Sequence, residues 1–187
     1  MQDNYCKLNK TEYFTECVDY SHYAEYEDSL FNIYKCLYES NSLTYEGKEV
    51  KMKHYPPDYG ERTGFYHMIC ENYNHTGDEN DRNPNFRRCE RIKWPKEFIE
   101  WCSNSCDRIW IWENERHNKK NILMYCQDQN YLVVLAKRNG YYLLTTAYVV
   151  QYENARRDLI REYKKYKTNN APPNSDASSN APSAHGR

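Results

Sequence analysis

Glycine is scarce in this sequence: six in 187 residues, each standing alone. No Gly-Xaa-Gly-Xaa-Xaa-Gly, P-loop or Gly-Xaa-Ser-Xaa-Gly pattern occurs. A backbone cradle for a nucleotide phosphate and a strand-to-helix nucleophile elbow are therefore not expected. His-Glu-Xaa-Xaa-His is also missing, which removes the helical zinc-hydrolase motif. No apolar run reaches the ~18 residues that a membrane-spanning helix needs, so no membrane partner is expected. The opening MQDNYCKLNKTEYF has neither a basic start nor an apolar centre and does not read as a secretory signal. The chain is expected in the cytoplasm, with its eight cysteines as reduced thiols. No Cys-Xaa-Xaa-Cys pair is present. Cys102 and Cys106 stand four apart with Cys70 and Cys89 upstream, a set that could hold zinc, but the irregular spacing favours ordinary thiols. No metal or other cofactor is expected.

Net charge is nearly absent too, at −1, and so decides nothing about partners. Its distribution is more telling. Residues 1–40 carry eight acids and three bases. Residues 85–96 carry Arg87, Arg88, Arg91, Lys93 and Lys96 against Glu90 alone, and residues 152–167 carry six bases against three acids. Such a dipolar chain suits an anionic partner on one side. What the sequence has in excess is tyrosine, 20 against five phenylalanines. The bland reading is compositional bias; the functional one is stacking on nucleic-acid bases.

The regular pattern is concentrated between residues 107 and 151. The runs 109–112, 122–126, 131–136 and 141–150 are apolar, β-branched and aromatic, with short polar breaks. Asn139-Gly140 predicts a two-residue hairpin turn with positive φ at both positions, Asp128-Gln129 a weaker turn, and the polar stretch 115–120 the first connection. A four-stranded antiparallel meander follows. Counting back from the Asn-Gly turn pairs Leu135 with Leu144, Val133 with Thr146 and Tyr131 with Tyr148, which puts Thr146 and Tyr148 on the Val133 face.

Around that meander, residues 28–40 predict a helix capped by Asp28, 49–54 a short strand, 86–104 one or two helices with Pro95 in a first turn, and 153–167 a last helix. The expected class is α+β, with N-terminal helices packed on the sheet and a C-terminal helix following it. Residues 1–27 read as an acidic, Tyr-rich arm, 28–167 as the domain, and 168–187, made of Asn, Pro, Ser and Ala, as a disordered tail.

One group of side chains carries chemistry. Cleavage of an RNA phosphodiester needs a proton donor or acceptor, cations for the transition-state charge, and a hold on the flanking base. His67 can be acid or base near neutral pH. Arg87, Arg88 and Arg91 can grip phosphate in a bidentate manner. Thr146 and Tyr148 can donate hydroxyls, and the Tyr148 ring can stack. Each also has a structural reading: a hydrogen-bonded core histidine, arginines paired with Glu90, a plain strand threonine, a core tyrosine. His117, beside Lys119 and Lys120 in a loop, is a second histidine that could touch phosphate.

The runs RCERIKWPKEFIE, IWIW, NYLVVLAKR and YYLLTTAYVV, with GFYHMI before them, resemble the phage-associated nuclease families of the barnase–EndoU–colicin–RelE group. The resemblance spans roughly residues 28–166. It implies a metal-independent endoribonuclease, phage- or mobile-element-encoded, with toxin activity as one role. The reaction would be 2′-hydroxyl attack giving a cyclic phosphate. It casts His67 as general acid/base, Arg91 with Arg88 as phosphate ligands, and Thr146 and Tyr148 as sheet-borne active-site groups. Arg87, Lys93, His117 and Arg138 would then grip RNA, Arg138 from the turn end of the hairpin. The rival reading is a non-catalytic module on the same fold that binds RNA or a protein. Expected partners are RNA and, for a toxin, an antitoxin or host protein.

Overall fold

The computed structural model describes residues 20–40, 42–55, 59–72, 82–102, 108–116 and 118–170. The arm read at 1–27 is thus seen only from residue 20, and the tail only to residue 170. The rest of both, and the disorder expected of the tail, lie outside the described residues.

Helix α1, Tyr23–Tyr34, follows a 3-10 turn at Tyr20–His22 and runs on into a π-helical turn, Lys35–Glu39. It begins before Asp28, the residue expected to cap it, because its first turn has aromatic contacts of its own. The Tyr23 ring meets Phe86 edge-on at 6.4 Å. Asp28 instead sits inside the helix and pairs with Arg62 at 2.6 Å. Leu30, Phe31 and Tyr34 form the buried stripe. The wider π turn brings Tyr38 into the core as well. Its phenol donates to the Ile92 carbonyl (2.6 Å) and accepts from the Lys96 amide (3.3 Å). Lys96 lies in the short helix Trp94–Glu97, so Tyr38 satisfies a first-turn amide that the helix leaves open.

Strands β1 (Thr44–Tyr45) and β2 (Lys48–Met52) form a hairpin whose two turn residues, Glu46 and Gly47, both have positive φ. Helix α2, Thr63–Ile69, comes next; its Gly64 abuts the Tyr34 phenol, leaving no room for a Cβ. Strands β3 (Cys70–Asn72) and β4 (Arg82–Pro84) pair with each other, and α3 (Phe86–Cys89) and α4 (Trp94–Glu97) follow, with Pro95 in the first turn as expected. A second π turn, Phe98–Cys102, ends this half. Then come β5 (Ile109–Arg116), β6 (Lys119–Cys126), β7 (Tyr131–Lys137), β8 (Tyr142–Val149) and α5 (Glu153–Asn169).

The class is α+β, but the main sheet is not the four-stranded antiparallel sheet expected. It has six strands in the order β1-β2-β8-β7-β6-β5, and it is mixed. Strands β5 to β8 pair antiparallel in sequence, whereas β2 lies parallel to β8, with Val50 opposite Tyr142. Local turn signals specify neighbours in sequence; they carry no information about a strand ninety-odd residues upstream.

The β7–β8 hairpin differs in a way that matters for the site. Near the turn the expected register holds, Leu135 facing Leu144 and the Arg138 amide donating to the Tyr141 carbonyl at 2.9 Å. The turn itself has positive φ at Gly140 and not at Asn139. Beyond Leu144 a β-bulge leaves Thr145 unpaired, and the register moves by one: Val134 faces Thr146, Leu132 faces Tyr148 and Val133 faces Ala147. A shift of one residue exchanges faces. Thr146 and Tyr148 therefore leave the Val133 face for the opposite one.

The Val133 face packs under α1 to α4, with Trp94 and Phe98 edge-on to Tyr131 at 5.0 and 5.3 Å. The opposite face carries Trp112, Leu123, Tyr125 and Leu132 beneath Leu159 of α5, and Trp110 stacks on Tyr163 at 4.6 Å. Helix α5 is pinned by Glu162. Its carboxylate accepts from Trp112 Nε1 (2.8 Å), Asn114 Nδ2 (2.6 Å) and Arg116 (2.8 Å), three alternate residues on one face of β5. Among the described residues no helix is long and apolar enough to cross a membrane.

Candidate functional site

Two openings meet at the Tyr148 ring. The first, about 290 Å³, lies where α3, β3 and the β8–α5 junction converge, and Glu71, Asn85, Arg87, Arg88, Tyr148 and Tyr152 are among its lining residues. Asn85 caps α3: its side chain accepts from the Arg88 amide at 3.2 Å. That cap sets the helix so that exposed Arg87 and half-buried Arg88 both reach the opening. Arg88 donates to the Cys70 carbonyl at 2.8 Å and lies over the Tyr148 ring, 5.7 Å from its centre. The contact is a cation–π stack between the helical half and the sheet. Helix α5 starts at the same place. Its N-cap, Tyr152, makes no side-chain capping bond and is 76% exposed. An uncapped helix start adds partial positive charge to that of the two arginines, offset in part by the first-turn carboxylate of Glu153.

The second opening, about 360 Å³, lies between the sheet and the first half of α5, and Tyr148 and Thr146 both line it. The bulge at Thr145 is what aims them there.

The remaining residues read from the sequence are not brought to the first opening. His67, in the last turn of α2, has Nε2 3.2 Å from the Tyr55 carbonyl and lines neither opening. Arg91 bonds Glu90 (2.8 Å) and the Arg87 carbonyl (2.9 Å), lies over Trp94 at 4.9 Å, and its side chain is only 12% exposed. Its neighbours Ile92 and Trp94 enter the core and draw it along the molecule. Arg138 stays at the hairpin end, 3.3 Å from the Lys137 carbonyl. His117 lies outside the described residues.

Lys93 precedes α4 and faces Glu97. Burial raises the Glu97 carboxyl to about 6, against a smaller lowering by Lys93. A raised carboxyl favours folding below the ordinary value of 4.5 and loses that contribution as pH climbs through about 6. Glu97→Gln is therefore expected to raise stability at neutral pH by about 1 kcal/mol, discounted for partial exposure, and to leave it unchanged in acid. Urea melts across pH give the check.

Among the described residues no group of three His, Cys, Asp or Glu could hold a metal. Cys70, Cys89 and Cys126 are buried. Burial, with Cys70 close by, pushes the Cys89 thiol up to about 12, so it is neither a thiolate ligand nor a nucleophile at neutral pH. The side chains of Cys102 and Cys106 lie outside the description.

Glu71, with Asn85 and Tyr152, is a lining residue that the sequence reading missed. It follows an apolar run on a strand of three residues, too short for a periodicity to mark it. It places a carboxylate in the same opening as two guanidinium groups.

Comparison of the chain with protein-family models, with curated proteins and with solved structures gives no match.

Proposed function

We propose that the chain is an endoribonuclease that seats an RNA phosphodiester in the opening between Arg87, Arg88 and Tyr148. The carrying observation is Arg88 stacked on Tyr148 beside Arg87, at an uncapped helix start. Two cations of planar donor geometry suit a phosphate, and exposed Tyr152 offers a ring to a neighbouring base. In this reading a base removes the 2′-hydroxyl proton and the 2′-oxygen attacks phosphorus. The phosphorus–5′-oxygen bond breaks and the 5′-oxygen takes a proton from water, giving a 2′,3′-cyclic phosphate and a 5′-hydroxyl. Glu71 is the carboxylate in reach of that phosphate and takes the role first read for His67. Tyr148 supplies a hydroxyl from the sheet, while Thr146 lines the adjoining opening. The resemblance of the GFYHMI, RCERIKWPKEFIE and TTAYVV runs to metal-independent nucleases supports the same class, with a cytoplasmic, toxin-like role.

A second reading, RNA binding without cleavage, is favoured by the place of His67, which lines neither opening and has Nε2 at the Tyr55 carbonyl. One experiment separates the two. Total RNA is incubated in EDTA with wild type, Arg88→Met, Tyr148→Phe, Glu71→Gln and His67→Ala. The nuclease reading expects cyclic-phosphate ends from wild type and a loss of about 100-fold or more in the first three variants. Retention of RNA without cleavage supports the binding module. No retention at all overturns both and leaves a protein partner.

A further inference from the structure

We infer that the second opening is a nucleobase pocket, adjoining the phosphate cleft across the Tyr148 ring. The inference deepens the RNA reading and depends on it for the ligand's identity. The pocket's form is independent of it.

The floor is apolar: Leu123, Leu132 and Val134 from adjacent strands, closed by Leu159 of α5. A volume of about 360 Å³ lies at the small-ligand end of binding cavities. Two charged groups on its wall are paired with α5 side chains, Arg116 with Glu162 and Asp158 with Arg161, and the uncharged polar groups are oriented. The Glu162 carboxylate can only accept, so Asn114 must turn its amide nitrogen to it, as the 2.6 Å contact shows. The Asn114 oxygen is then left to accept from Asn121 Nδ2 at 3.3 Å. That fixes Asn121 in turn, and its amide oxygen remains as an acceptor on the pocket wall. Thr146 stands opposite Val134 on the same face and makes no side-chain hydrogen bond among the described residues. The pocket thus offers one preset acceptor, one hydroxyl, an aromatic wall and an apolar floor. A planar heterocycle with an N–H edge uses all four; an aliphatic ligand leaves the two polar groups unpaired.

The test uses the full-length protein and free nucleosides, which have no phosphate to enter the first cleft. Adenosine, cytidine, guanosine and uridine are titrated while backbone amide shifts are followed by NMR. At least one should give saturating shifts at residues 132–134 and 146–148. Val134→Phe fills the pocket and should abolish them. Thr146→Val, which keeps shape and loses the hydroxyl, should weaken binding about five-fold, the size of one hydrogen bond. Absence of such shifts with all four nucleosides, or their persistence in folded Val134→Phe, overturns the pocket. Saturating shifts in a protein that binds neither ribose 5-phosphate nor RNA would uphold the pocket and dispose of the phosphate cleft alone.

Discussion

Ala147→Phe is expected to cost about 3 kcal/mol, whereas deletion of Thr145 is expected to leave the chain folded. Substitution at residue 145, Thr145→Ala, is expected to change stability by no more than about 0.5 kcal/mol, because the side chain is exposed. The contrast arises from the bulge. Thr145 is the unpaired residue, so with it absent Thr146 follows Leu144 directly, β8 pairs without interruption, and residues 146 to 149 keep their partners and faces. Ala147 stays opposite Val133 under α1–α4, where it is 2% exposed and a ring has no space to enter. Chemical unfolding of the three variants, read by near-ultraviolet circular dichroism, measures the difference. Failure of the deletion variant to fold would show that the bend at the unpaired residue, and not the pairing alone, holds β8 in place.

Glu162→Ala is expected to lower stability by about 3 kcal/mol, far more than a typical helix-surface change. Three donors lose their acceptor at once, and one of them belongs to Trp112, which is 1% exposed and has no water to turn to. Burial alone would raise the Glu162 carboxyl, but the bonds from Trp112, Asn114 and Arg116, with the Arg116 charge, outweigh it and hold it below the ordinary 4.5. The folded value is thus lower than the unfolded one. The contribution is complete above 4.5 and is lost as the pH falls through the depressed value. The gap between wild type and Glu162→Ala should narrow as the solution is acidified, which paired melts at several pH values would detect. Since Glu162 also orients Asn114, the variant should blunt any nucleoside response in the adjoining pocket.

Local regularities were legible in the sequence, and long-range ones were not. Alternation and β-branching marked the strands from Ile109 to Val149, and Pro95 marked a helix start. The short strand near residue 50 was visible too, but not its neighbour, because the parallel contact with β8 is made by Val50 and Met52 side by side with Tyr142 and Leu144. Nothing in TTAYVV distinguishes a bulged strand from a straight one; no glycine marks Thr145. So the hydroxyls of Thr146 and Tyr148 were read as a pair, and their face was read in reverse. The arginines show the same limit at finer scale. Arg87 and Arg88 lie in a helix of four residues and Arg91 just beyond it, so there is no phase to count, and only packing separates the two that line the opening from the one that lies over Trp94.

The parallel contact between β2 and β8 constrains the order of assembly. A chain emerging residue by residue from the ribosome makes the β1–β2 hairpin early and must hold the other edge of β2 unpaired until β8, the last of the sheet's strands in sequence, has been synthesised. Closing so large a loop comes late and slowly compared with the hairpins between them. The antiparallel core can form on its own schedule, while the apolar Val50 and Met52 wait as an open edge.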